Sequence, residues 1–222
     1  MYRKLIICMA AVSLASVCFA QVKEVTPYVR VSGGLSLLND SAVSVSGVGS
    51  VDAEFDPGFV IGAAVGLSLK ATDPSINPDV SIPLRIEAEL LYQKNDLDKE
   101  HGEVLGHKFS ASGDASMVSL MFNGYIDFKN KSIVTPYVLV GVGVARVDGS
   151  FKASAGSARL SVSGDDTVAA FQTGVGLGVA VSENISIDTE YRYHMTSDPD
   201  FGGVKADISG HRIQVGVRYA FN

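Results

Sequence analysis

The side chains with chemistry to offer sit on alternating positions. Arg30, Arg85, Glu87, Glu89, Asp127, Asp188, Glu190, Arg192, Arg212 and Arg218 all fall on the polar parity of period-two segments. Their basic members are all Arg, which forms forked, preorganised pairs with carboxylates. Opposite signs also lie close in sequence, at Arg85/Glu87 and Glu190/Arg192. That chemistry is internal ion pairing in a confined space. Proton transfer has poorer candidates. The histidines are His101, His107, His194 and His211, and none has a Ser two residues on. Asp188 and His194 share a strand face but lie roughly 20 Å apart at strand rise, too far for a dyad. His101 and His107 have no metal-ligand spacing. We expect no enzyme activity, no cofactor and no metal. The spacing Gly174-Val175-Gly176-Leu177-Gly178 follows strict period two with no helix pattern after it, so it is not a nucleotide loop.

The elements that hold these residues are strands. Apolar side chains alternate from Val29, Phe59, Leu84, Val118, Val138, Phe171, Ile185 and Ile213. Eight segments of roughly ten residues or more match the 9–11 residues that a tilted strand needs to cross a bilayer. The fold class expected is all-β, an eight-stranded antiparallel up-and-down transmembrane β-barrel. One face of every strand is continuously apolar and the other gathers charge and glycine, so lipid belongs outside and the charges line the lumen. Small barrels are filled by side chains. The ten charges are therefore expected to plug the interior, and a gated ion path is the sharper alternative. Gly141, Gly143, Gly174, Gly176 and Gly178 give that interior walls without side chains.

Aromatics at the strand ends form two expected belts: Phe59, Tyr92, Phe171, Tyr191 and Tyr193 outside, and Phe128, Tyr219 and Phe221 at the periplasmic side. Tyr28 and Tyr137 lie at belt level, yet parity turns them inward unless a bulge intervenes. Connections alternate in length. Long ones span about 38–57, 94–114, 148–166 and 196–209, and short ones 129–134 and Ser182-Glu183-Asn184. A longer segment near 70–82, with Pro74 and Pro78 and followed by Pro83, breaks the short side.

Residues 1–20 read as a cleaved secretory signal. Arg3 and Lys4 precede an apolar stretch ending Cys18-Phe19-Ala20, with cleavage between Ala20 and Gln21, leaving the barrel over 21–222. Both cysteines, Cys8 and Cys18, leave with it. Removing Arg3 and Lys4 leaves 16 basic and 24 acidic residues, a net charge of −8. That charge excludes a nucleic-acid partner, which needs a basic face. The loops are acidic or neutral, with Asp40, Asp52, Glu54 and Asp56 in the first, which disfavours an anionic polymer such as heparan sulfate.

Several fragments resemble one family. They are Leu84-Arg85-Ile86-Glu87-Ala88-Glu89, Ser119 to Phe128, Thr135-Pro136-Tyr137-Val138 with its Gly-Val run, Phe171 to Gly176, and Asp188-Thr189-Glu190-Tyr191-Arg192-Tyr193. In this order they resemble the porin-like surface-antigen outer-membrane barrels related to Opa and OmpX. The resemblance implies location in the outer membrane of a Gram-negative bacterium, membrane lipids and the assembly machinery as partners, and a surface-antigen role. Loops would contact a host or environmental protein ligand, as in an adhesin. The alternative is a narrow porin-like solute or ion channel. The last strand carries the expected assembly signal, Tyr219 and Phe221, followed here by Asn222.

Overall fold

The computed structural model describes residues 21–39, 41–45, 49–53, 56–72, 81–97, 101–104, 107–155, 158–197, 204–205 and 208–221. Eight long strands run antiparallel: β1 (Gln21–Leu38), β2 (Gly58–Thr72), β3 (Ser81–Leu97), β4 (His107–Asp127), β5 (Val134–Ala155), β6 (Ala158–Ala180), β7 (Ile185–Thr196) and β8 (Ser209–Ala220). Each pairs with its neighbour in the chain, and β1 pairs with β8, so the sheet closes without a barrel edge. It is an eight-stranded antiparallel up-and-down barrel.

Parity decides what faces lipid. Val31, Val65 and Phe122 are 62%, 61% and 60% exposed, and the outward residues of every strand are mainly apolar. A water-soluble barrel does not expose such a band, whereas a bilayer solvates it. The strands with inward-facing charge are fully paired, as an apolar solvent requires of the backbone.

The extracellular ends differ from the expected loops. The ladder of β5 and β6 continues to Ala155↔Ala158, so within 148–166 residues 148–155 pair with 158–165. Likewise β3 and β4 pair up to Leu97↔Gly113, and His101–Val104 adds to β4. Within 38–57, Ser41–Val45 pairs with Gly49–Ala53, and Val204–Lys205 joins Ser41–Val45. The reason is solvent. Beyond the bilayer both faces meet water, so alternation is no longer required, while main-chain pairing persists.

Phe128 to Val134 and Val181 to Ile185 make tight turns at the opposite end. This short-turn end is the periplasmic one. The signal segment with Ala20, the loop residues Asp40 and Glu54, and Pro74 and Pro78 lie outside the described residues.

Candidate functional site

Nine of the ten charged lumen residues are buried, and Arg218 is half-buried at the periplasmic mouth. They form three levels. At the lowest, Arg85 donates to Asp127 from Nε at 3.0 Å and from Nη2 at 2.8 Å. Its guanidinium lies 4.3 Å from the Tyr125 ring centroid and 4.6 Å from that of Tyr137. Delocalised, weakly hydrated Arg suits such a slot between rings. Beside it Arg218 grips Asp188 at 3.1 and 3.2 Å and covers the Tyr28 ring. Arg85/Glu87 do not pair, although adjacent on their face. Asp127 on β4 takes Arg85 instead, and Glu87 turns to other partners.

The middle level ties five strands together. Arg30 from β1 reaches Glu87 at 2.9 Å and Glu89 at 2.6 Å on β3, and Glu190 at 3.3 Å on β7. Arg192 from β7 crosses to Glu89 at 2.6 Å and holds Glu190 through Nε at 2.7 Å. Three tyrosine hydroxyls complete the carboxylates. Tyr28 and Tyr125 donate to Glu87 at 3.0 and 2.8 Å, and Tyr137 donates to Glu190 at 2.8 Å. Asn123 adds a bond to Glu89 at 2.8 Å.

Three carboxylates against two arginines leave this level one negative charge in excess. The upper level supplies the balance. Arg212 contacts amides, donating to Gln93 at 2.7 Å and to Gln172 at 3.4 Å. Across the ten residues the count is five arginines and five carboxylates, so the lumen network is neutral. Above lies an apolar shelf of Val60, Leu91, Met117, Met121, Val147 and Val168. His194 is buried with neither ring nitrogen bonded to protein, and Gln214 is buried with its amide likewise unbonded.

Tyr28 and Tyr137 point inward. The register of β1 shifts only between Val22 and Glu24, so no bulge redirects Tyr28. Each ring lies across a glycine on the neighbouring strand. A Cβ on Gly66 would run into the Tyr28 ring at Cζ, and one on Gly176 would run into the Tyr137 ring at the same atom. These tyrosines, with Asn123, Gln93 and Gln172, are the lumen partners that charge alone does not reveal. Their parity was the available signal.

The outer rim has aromatic and ionic parts. Tyr191 bonds His211 at 2.7 Å on the lipid side, and Tyr193 packs on the same imidazole. The side chains of His101 and His107 lie outside the described residues. Arg146 pairs with Asp148 and Asp165 at 3.7 and 3.0 Å on the projecting hairpin. At the periplasmic rim Lys70 donates to Glu24, which holds that carboxyl below its ordinary range.

Known proteins share this architecture. The chain is 28% identical over 144 residues to the outer membrane protein PagN of Salmonella typhimurium, an alignment covering 60% of this chain and 56% of that protein. The match thus spans little more than half of that relative's length. A major outer membrane protein from Thermus thermophilus superposes with a TM-score of 0.55 at 12% identity, over 89% of this chain and 100% of the other. Neisserial surface protein A aligns with a TM-score of 0.45 at 18% identity, over 90% and 100% of the two chains. A family model described as an outer membrane protein beta-barrel domain matches residues 6–221. The chain is a member of that family and belongs in the outer membrane.

Proposed function

We infer that this barrel is a surface protein that keeps its lumen shut and presents its projecting strands to host or environmental molecules. The observation that carries the reading is the ladder of β5 and β6, which stays paired to Ala155↔Ala158 beyond the lipid-facing band. A chain that only had to close a membrane hole would not need this further length of paired strand. The charges at this end support a neutral or basic partner. Among the described side chains there, Asp96, Asp114, Asp148, Asp165 and Asp166 outnumber Lys94 and Arg146, and an acidic surface repels polyanions.

The plug is the second half of the inference. Arg30 and Arg192 converge on Glu89 inside the lumen, and the shelf of Met117, Met121, Val147 and Val168 sits above them. Side chains that fill the interior of a barrel this narrow leave no clear channel.

Two measurements test the pair of claims. Replacing the hairpin above Val147↔Asp166 with a two-residue turn is expected to abolish binding of cells bearing the barrel to host surfaces, with heat-modifiable gel migration retained. Unchanged binding would remove the surface-contact role. In planar bilayers the refolded chain is expected to show no stable unitary current, and a steady unitary conductance would establish the channel instead.

A further inference from the structure

Four of the five lumen arginines, Arg30, Arg85, Arg192 and Arg218, grip carboxylates directly. Arg212 does not. It is 2% exposed and donates to amide oxygens only, those of Gln93 and Gln172. Among the described residues no carboxylate pairs with it. A charge taken out of water is normally paired, and neutral amide dipoles are a weak substitute. The surplus negative charge of the middle level balances Arg212 without touching it. Its carboxylates are occupied by Arg30, Arg192, Tyr28, Tyr125, Tyr137 and Asn123.

The side chains flanking Arg212 have polar atoms to spare. Gln214 is the next inward residue on β8, 1% exposed, with its amide nitrogen and oxygen both unbonded to protein. On β7, Arg192 stands opposite Arg212, and the next inward residue toward the outer end is His194. It is 3% exposed, and both its ring nitrogens are unbonded to protein. Its Cε1 lies 3.0 Å from where a Cβ on Gly210 would stand, so the imidazole leans toward β8, one inward position from Arg212. Across on β1, Gly34 and Ser36 stand opposite Gln214 and Arg212, so no bulky side chain covers them from that strand. Two adjacent strands thus bring one uncompensated cation and two unbonded polar side chains together. Buried groups of this kind are costly unless something satisfies them.

We propose that Arg212, His194 and Gln214 bind one monovalent anion of halide size in the upper lumen. The guanidinium supplies the charge, the neutral imidazole one N–H and the amide two. A single cation suits a single negative charge. The closely packed shelf of Val60, Leu91 and Met121 offers no further donors to a larger oxyanion. The way in is from outside. Arg212 Nε bonds Gln93 at 2.7 Å, Gln93 bonds Asn95 at 3.0 Å, and Asn95 bonds the Asp56 carbonyl at 3.2 Å. This file of amides leads from the outer mouth to Arg212. On the periplasmic side the carboxylates of Glu89 and Glu190 repel an anion, so the site is a dead end and the lumen stays shut.

Two measurements on the refolded full barrel test this. The first is urea unfolding in phospholipid vesicles prepared in sodium chloride or sodium gluconate at equal ionic strength. Stability is expected to rise with chloride and to saturate. For a dissociation constant on the order of 10 mM, about 0.1 M chloride multiplies the folding constant roughly tenfold. Arg212→Gln is expected to lose this response. Gln214→Met and His194→Phe keep the lumen charge, so they serve if Arg212→Gln does not fold, and each is expected to lose most of the response. The second measurement is anomalous diffraction from crystals soaked in sodium bromide, with a bromine peak expected among the three side chains. Equal stability of the wild type in the two salts would overturn the proposal, as would a chloride response retained in the variants. A bromine peak without a solution response would mean an adventitious ion only, and ordered water in place of bromine would mean simple hydration. Either result would also overturn it. Heat-modifiable migration of each variant verifies the barrel.

Discussion

Glu89 is the place to test the neutrality of the lumen. It is fully buried and accepts from Arg30 and Arg192, each at 2.6 Å, and from Asn123 at 2.8 Å. Glu89→Gln keeps the shape and removes one of five negative charges against five positive. Two contacts at these distances are each worth about 6 kcal/mol at an effective dielectric near 20. Relief of the carboxylate's desolvation returns several of those, and the amide now presents N–H groups to guanidinium donors. The net expected loss is about 3–5 kcal/mol, the usual cost of breaking a buried pair from one side. Arg192→Gln should cost a similar amount. The double variant restores neutrality and lets two amides bond each other, so its cost should fall short of the sum by about 2 kcal/mol or more. Urea unfolding in phospholipid vesicles, with midpoints compared at constant slope, measures all three. Additivity within about 0.5 kcal/mol would refute the coupling.

Other expectations follow from single contacts. Gly66→Ala and Gly176→Ala push a Cβ into the rings of Tyr28 and Tyr137. Each should lose about 1–3 kcal/mol in the same vesicle assay, with no loss if the rings simply swing away. Arg85→Lys keeps the charge but forfeits the forked bond to Asp127 and the slot between Tyr125 and Tyr137. A loss of about 2 kcal/mol is expected, and wild-type stability would show that charge alone suffices. Glu24 titrates low because Lys70 donates to it and attracts its charged form. Lys70→Gln should return it upward to the ordinary carboxylate range by carboxyl NMR, and an unmoved titration would deny the contact in solution.

The barrel was readable wherever lipid imposes alternation. Val29 to Leu37, Phe59 to Leu67 and Ile213 to Phe221 all lie with apolar side chains outward, because the bilayer penalises any other parity. Where water bathes both faces the pattern lapses. That is why 148–166, rich in Ser, Ala and Gly, read as loop although its backbone is laddered. Sequence proximity also misled the pairing of charges. Glu190/Arg192 do bond, but Arg85 finds Asp127 across the strand boundary, since partner choice depends on barrel curvature and stagger. Inward Leu91, Met117 and Met121 show a further limit. The upper lumen is partly apolar, a feature masked by the charges below it.

The projecting hairpin has a consequence for how this protein changes over generations. Its rungs from Val147↔Asp166 to Ala155↔Ala158 are main-chain bonds, indifferent to which side chains they carry. Substitutions there neither open the membrane wall nor disturb the arginine network beneath. The outermost segment can therefore drift in sequence while the wall that anchors it stays fixed.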